Sequence, residues 1–210
     1  MGKKIVLIGG GGHCKSVLDT LLRNREYEEI VITDPGIPAG ERIMGCAVAG
    51  NDDVLPALLK AGFCDAFVTV GSISSTKLRR ILFEKAAQIG FRLVNITDCS
   101  AVVADSAQLG KGVFIGKAAV VNAEARIGNA AIINTGAIVE HECRIGNFVH
   151  VSVGAALCGN VSVGDDTLIG AGAVVIQDIR IGERVIIGAG STVIGDVGPD
   201  VTRVGIVKAE

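Results

Sequence analysis

The residues most able to do chemistry cluster near position 140. Two of the chain's three histidines, His141 and His150, stand nine residues apart, and His141 is flanked by Glu140 and Glu142. A neutral imidazole can take a proton from an attacking amine or hydroxyl. Adjacent strand residues point to opposite sides, so Glu142 reaches the ring beside it only across a backbone corner or from another subunit. Without such a partner, His141 is an exposed surface histidine and Glu142 a solvated charge. A zinc centre of β-helix type would need three histidines on adjoining faces, and this segment has two. None of the six cysteines (Cys14, Cys46, Cys64, Cys99, Cys143 and Cys158) forms a C-x-x-C pair, so no metal site is expected.

A second candidate lies near the start. Gly9–Gly12, followed by His13, comes directly after the apolar run Lys4–Ile8 and opens a helical pattern. Backbone amides at such a place can meet a phosphate or carboxylate. The dinucleotide fingerprint G-x-G-x-x-G is incomplete, because its last position falls on Cys14 or Lys15. Asp34 opens an Asp-Pro-Gly turn at the end of the next apolar run.

Two kinds of element must position these groups. Strands are expected at Lys4–Ile8, Ile30–Thr33, Ala66–Val70 and Arg92–Ile96. Helices are expected at His13–Arg23, Asp52–Ala61 (capped by Asn51 or Asp52) and Ser75–Gln88, the last closed by Gly90. Their β-α-β order implies a parallel sheet with helices packed on it. After about Cys99 the helical period stops. Every sixth residue from Val103 to Val193 is Val, Leu or Ile, sixteen in succession. The position two before is mostly small, and the position after is often Gly or Asn, types that tolerate bends. A hexapeptide period marks a parallel β-helix, three units to a coil, with the sixth-position aliphatics stacked inward. The reading is a Rossmann-like α/β domain over 1–98 and an all-β parallel β-helix over 99–210.

Composition narrows the class. Lys plus Arg number 20 against 22 Asp plus Glu, for a net charge of −2, which argues against a nucleic-acid partner. Aromatics are 3% and Trp is absent, so the core must be aliphatic. No apolar run is long enough to span a membrane. Scattered cysteines read as reduced thiols in a cytoplasmic protein.

Gly-Gly-Gly-His at 10–13, Asn134-Thr135-Gly136, the E-H-E-C segment ending at Cys143 and H-V-S-V-G over 150–154 stand in one order. That order resembles the left-handed β-helix acetyltransferases of the sialic-acid and bacillosamine type. The resemblance implies a homotrimer with acetyl-CoA between neighbouring β-helices and no metal. It implies His141 as general base, assisted by Glu142. It places His150, Asn134, Ala171 and Ala189 at acetyl-CoA, the two alanines through backbone atoms. A backbone amide between Gly154 and Gly159 would stabilise the oxyanion. The small domain would hold a sugar nucleotide through Gly11, Gly12, His13, Asp34 and Gly71. Relatives often carry a second acidic residue after Asp34, where this chain has Pro35. The expected reaction is N-acetylation of a nucleotide-linked amino sugar. O-acetylation of a sialic-acid-like sugar is the alternative, and a non-catalytic subunit would not need His141.

Overall fold

A computed structural model describes residues 2–71 and 75–209. They form two compact units, one through Gly71 and Thr76–Ile96, the other from Thr97 onward.

The first unit runs β1 (Lys4–Ile8), α1 (Gly12–Asn24), β2 (Glu29–Thr33), β3 (Arg42–Ile43), β4 (Cys46–Gly50), a 3₁₀ turn (Asp52–Val54), α2 (Leu55–Lys60), β5 (Asp65–Val68), α3 (Lys77–Ile89) and β6 (Arg92–Leu93). The sheet order is β3-β4-β2-β1-β5-β6, parallel except for the β3–β4 pair. Central β1 is a continuous apolar run because helices cover both sides of such a sheet, and Ile5, Val6 and Leu7 are fully buried. Helix α1 buries Val17, Leu18 and Leu21, one helical face. Asn51 caps the 3₁₀ turn by accepting from the Asp53 amide, and α3 stops at Gly90 with φ 106°. At the opposite end of the sheet from the glycine loop, buried Asp65 accepts from Arg92 (2.6 Å) and Tyr27 (2.9 Å), tying β5 to β6.

The sequence reading missed β3 and β4. Both are short, and β4 (CAVAG) is made of small residues that carry no clear alternation. The single strand expected over Arg92–Ile96 is two: β6 ends at Leu93, and Ile96–Thr97 begins a different sheet.

The second unit is a three-faced prism of two-residue strands. The first face stacks Ile96–Thr97, Phe114–Ile115, Ile132–Ile133, His150–Val151, Leu168–Ile169, Ile186–Ile187 and Thr202–Arg203. The second stacks Val102–Val103, Val120–Val121, Ile138–Val139, Ala156–Leu157, Val174–Val175, Thr192–Val193 and Ile206–Val207. The third stacks Gln108–Leu109, Arg126–Ile127, Arg144–Ile145, Ser162–Val163 and Arg180–Ile181. Strands pair in parallel with the residue 18 positions on, as in Val121 with Val139 and Leu157 with Val175. The second residue of each strand points inward, and Val121, Val139, Leu157 and Val175 are fully buried. Each such side chain is worth roughly 1.5–3 kcal/mol, enough to hold the stack without aromatics.

The bends fall elsewhere than expected. Left-handed backbone occurs three residues after the inward aliphatics from Leu109 to Ile187, at Glu124, Gly136, Glu142, Gly154 and Asn160 among others. Glycine one residue after the aliphatic serves close approach instead: a Cβ on Gly164 would lie 2.5 Å from the Glu183 amide nitrogen on the next coil.

Candidate active site

His141 and Glu142 sit on the edge where the chain leaves the second face for the third. Glu142 has φ 61°, and its amide donates to Ala123 on the coil below. This corner turns the two neighbouring side chains toward each other, and His141 Nδ1 lies 3.1 Å from Glu142 Oε2. A carboxylate oxygen only accepts, so Nδ1 carries a proton, and the neutral form of this ring has its lone pair on Nε2. Both side chains are more than half exposed (57% and 59%), so a substrate can reach Nε2. Glu140 does a different job. Its Oε2 accepts from the His141 backbone amide (3.1 Å) and from Asn122 Nδ2 (3.0 Å), which anchors the corner.

The ring packs against Gly159, one coil on. A Cβ there would stand 2.5 Å from His141 Cε1 and 2.6 Å from Nε2. The Gly159 amide adds a donor. In the two coils below it, the side chain before this amide caps it: Asn122 accepts from Ala123, and Glu140 from His141. Cys158 takes that place before Gly159 and offers no oxygen. Among the described residues the Gly159 N–H makes no hydrogen bond, although the residue is buried and buried amides are nearly always paired. The amides of Gly154, Ala155, Ala156 and Cys158 are all engaged. A proton acceptor and an open donor therefore stand side by side. The sequence left the donor open across Gly154–Gly159; the missing side-chain oxygen at Cys158 recurs at Ala104 and Ile176, so only the His141 ring seated on Gly159 singles that amide out.

Cys143, beneath the corner, directs its Sγ to the Cys158 carbonyl (3.2 Å). Burial pushes its thiol up to about 11, so it packs as a neutral group.

Asn134 stands on another edge, between the first and second faces, and His150, the outward residue of the next first-face strand, reaches it. Asn134 Oδ1 accepts from the Thr135 amide (2.8 Å), which fixes the side-chain orientation. Its Nδ2 then donates to His150 Nε2 (3.2 Å), so the ring is neutral with its proton on Nδ1. His150 is 8% exposed. Ala171 and Ala189 follow on this same edge, exposed and one coil apart, with the Gly190 amide donating to the Ala171 carbonyl. Within one chain the second face separates this group from His141.

In the first unit, Gly11 is the N-cap of α1 and Gly12 its first residue; both are exposed, with open space where a Cβ would stand. A Cβ on Gly71 would lie 3.7 Å from that of His13. Asp34 takes two backbone amides, Gly10 at Oδ2 (2.6 Å) and Gly36 at Oδ1 (2.8 Å), so it ties the glycine loop to the turn after β2. Thr69, missed in the sequence, holds the same loop by donating to Ile8 and Gly9 carbonyls. These groups gather at the C-terminal ends of parallel strands, where open α/β sheets bind ligands. Among the described residues no group of His, Cys, Asp or Glu could hold a metal ion, and no helix is long and apolar enough to cross a membrane.

Residues 4–86 match the family described as PglD N-terminal domain, and 160–195 match bacterial transferase hexapeptide (six repeats). PerB from Caulobacter crescentus, solved in complex with CoA and GDP-perosamine, is 41% identical, with 98% of this chain and 95% of that one covered and a TM-score of 0.88. This chain is a left-handed β-helix acetyltransferase. The acetyltransferase domain of PglB from Neisseria gonorrhoeae, in complex with acetyl coenzyme A, is similar at 35% identity over 98% of this chain and 97% of that one, TM-score 0.90. A GDP-perosamine N-acetyltransferase from Caulobacter crescentus with one histidine changed to alanine also matches. It is 40% identical over 98% and 94% of the two chains, with a TM-score of 0.89. The curated proteins yield no significant match. The family assignment agrees with the order of motifs in the sequence, and with an α/β unit followed by a left-handed prism.

Proposed function

We propose that this acetyltransferase moves the acetyl group of acetyl-CoA to the amino group of a nucleotide-linked amino sugar, with His141 as general base. One observation carries the reading: Nε2 of His141, its other ring nitrogen held by Glu142, stands beside the open amide of Gly159. The amine attacks the thioester carbonyl, and Nε2 removes its proton. The oxyanion accepts from the Gly159 N–H. As the tetrahedral intermediate collapses, the C–S bond breaks and the proton passes from His141 to the thiolate, giving the amide and coenzyme A. The substrates of PerB and of the PglB domain support both the donor and the class of acceptor.

A homotrimer completes the site. The outward residues of the second face form an apolar column, with Val102, Ile138, Val174 and Ile206 exposed. Ile206, at 71% exposure, and Val102, at 63%, are costly in water and suit a surface covered by a second copy. A cyclic trimer brings unlike edges of neighbouring copies together, so the His141 edge of one copy would meet the Asn134–His150 edge of the next. Acetyl-CoA would lie between them, along Ala171 and Ala189. The domain over 1–98 would hold the nucleotide sugar by Gly11, Gly12, His13, Asp34 and Gly71, and that over 99–210 the acetyl-CoA. Six unpaired thiols and an acetyl-CoA donor suit the cytoplasm.

The test is coenzyme A release with a panel of GDP-, UDP- and dTDP-linked 4-amino sugars and free sialic acids. Release with an amino sugar, and an N-acetylated product by mass spectrometry, is expected. Release with sialic acids alone would replace the reading by O-acetylation; release with none would overturn it.

A further inference from the structure

The third face differs from the other two in the charge it shows. Its outward column reads Gln108, Arg126, Arg144, Ser162, Arg180, each in direct register with the next. Adjacent coils are about 4.8 Å apart, so Arg126 and Arg144 stack as like charges on neighbouring strands, an arrangement that costs stability. All three arginines are exposed, and among the described residues none of their guanidinium groups pairs with a carboxylate. Arg184, near the same face, is paired with Asp200 and Glu183 instead. The column lines an open groove of about 640 Å³ that holds three guanidinium groups and no carboxylate. Two acids neighbour the column without pairing its guanidinium groups: Asp165 accepts from Asn147, and Asp196 accepts from the Arg180 backbone amide (2.8 Å).

The groove adjoins the corner that carries the base. Arg144 follows His141 by three residues, and Ser162 follows Gly159 by three, so each lies within about 11 Å of its corner partner along the chain. Guanidinium forks match phosphate oxygens two at a time. A stack of two such forks one coil apart fits a pair of linked phosphates better than a single one.

We propose that the Arg126–Arg144–Arg180 column is a diphosphate-binding face of the acetyl-transfer site. The proposal rests on the acetyl-transfer reading above, because both substrates it names are diphosphate esters: the nucleotide sugar and acetyl-CoA. The ester that binds gives up its hydration for the guanidinium forks and relieves the repulsion along the column. Arg126 and Arg144 hold the diphosphate, and Arg180 extends the same track two coils on.

The test measures affinities by calorimetry at physiological salt, which needs no turnover. Inorganic pyrophosphate, coenzyme A and a GDP-linked sugar are titrated into the wild-type protein, into the Arg126→Gln/Arg144→Gln double variant, and into Lys60→Gln, which removes an exposed charge on α2. The double variant should lose affinity for pyrophosphate by about tenfold to a hundredfold. It should lose affinity for one of the two esters with it, and which one identifies the source of the diphosphate. Its melting temperature should hold or rise, since a repulsion is removed, whereas loss of a structural contact would lower it. Unchanged pyrophosphate affinity, two unaffected esters, a lowered melting temperature or an equal loss in Lys60→Gln would each overturn the proposal. Absence of transfer by a wild-type protein that binds pyrophosphate through these arginines would instead sink the acetyl-transfer reading and leave the face standing.

Discussion

One prism presents two histidines, His141 at an edge and His150 on a face beside another edge, and it treats them differently. On the edge between the second and third faces, His141 is more than half exposed, with Nε2 open above a glycine. On the first face, beside the edge that leads to the second, His150 is buried, and its Nε2 is occupied by Asn134. A base must meet its substrate with a free lone pair; a ring locked by an amide serves position and shape. The backbone sets them apart first: His141 stands at a corner two residues after inward Val139, whereas His150 is the outward residue of the first-face strand His150–Val151. The neighbours do the rest, Gly159 leaving room for the His141 ring and Asn134 closing on His150.

Breaking this contrast at its strongest point gives the largest effect. His141→Ala should lower kcat by about a hundredfold to ten-thousandfold, with a smaller change in the KM for acetyl-CoA, read from coenzyme A release. Wild-type turnover in that variant would remove the distinction between the edges. Ile138→Glu puts a charge in the apolar column between them. It should weaken self-association by at least about a hundredfold, so that light scattering gives the mass of one chain and activity falls in step. A fully active single chain would place both edges' work on one. Gly159→Ala should crowd His141 off its seat. About a tenfold to hundredfold loss in kcat is expected with the melting temperature little changed, and an unaffected kcat would mean the glycine does not seat the ring.

The smallest effects concern the packing under the edges. Burial raises the Cys14 and Cys143 thiols from 9.0 to about 11. The fold therefore holds those protons between pH 9 and about 11 while the unfolded chain has lost them, and stability falls as pH rises through that window. Exposed Cys64 and Cys99 should react with a maleimide well before Cys14 and Cys143 at pH 8, by mass spectrometry of timed samples. Equal rates would show that the interior beneath the His141 corner opens freely.

How much of this was legible in the sequence follows from the same columns. The inward aliphatics were plain because one position in six repeats without exception from Val103 to Val193. The bends were misread. Glu142, Phe148 and Arg184 adopt left-handed backbone that their types do not advertise, while the glycines directly after the inward aliphatics serve close approach. The last coil was not legible either: Ile186 pairs with Thr202 and Thr192 with Ile206, offsets shorter than the 18-residue period. At the site, His141 and Glu142 stood out by type, but their contact depended on a corner that sequence only stated as a condition. Asp34 was visible as a turn residue, whereas its hold on two amides was not.

The account rests on His141 and the Asn134–His150 pair working together only across neighbouring copies, and subunit mixing tests that most directly. His141→Ala and His150→Ala chains, each nearly inactive alone, are co-expressed and the mixed trimers assayed for coenzyme A release. In a cyclic trimer, random assembly leaves about one site in four with both native histidines, so about a quarter of wild-type activity should return. A mixture no more active than its two components would contradict the account.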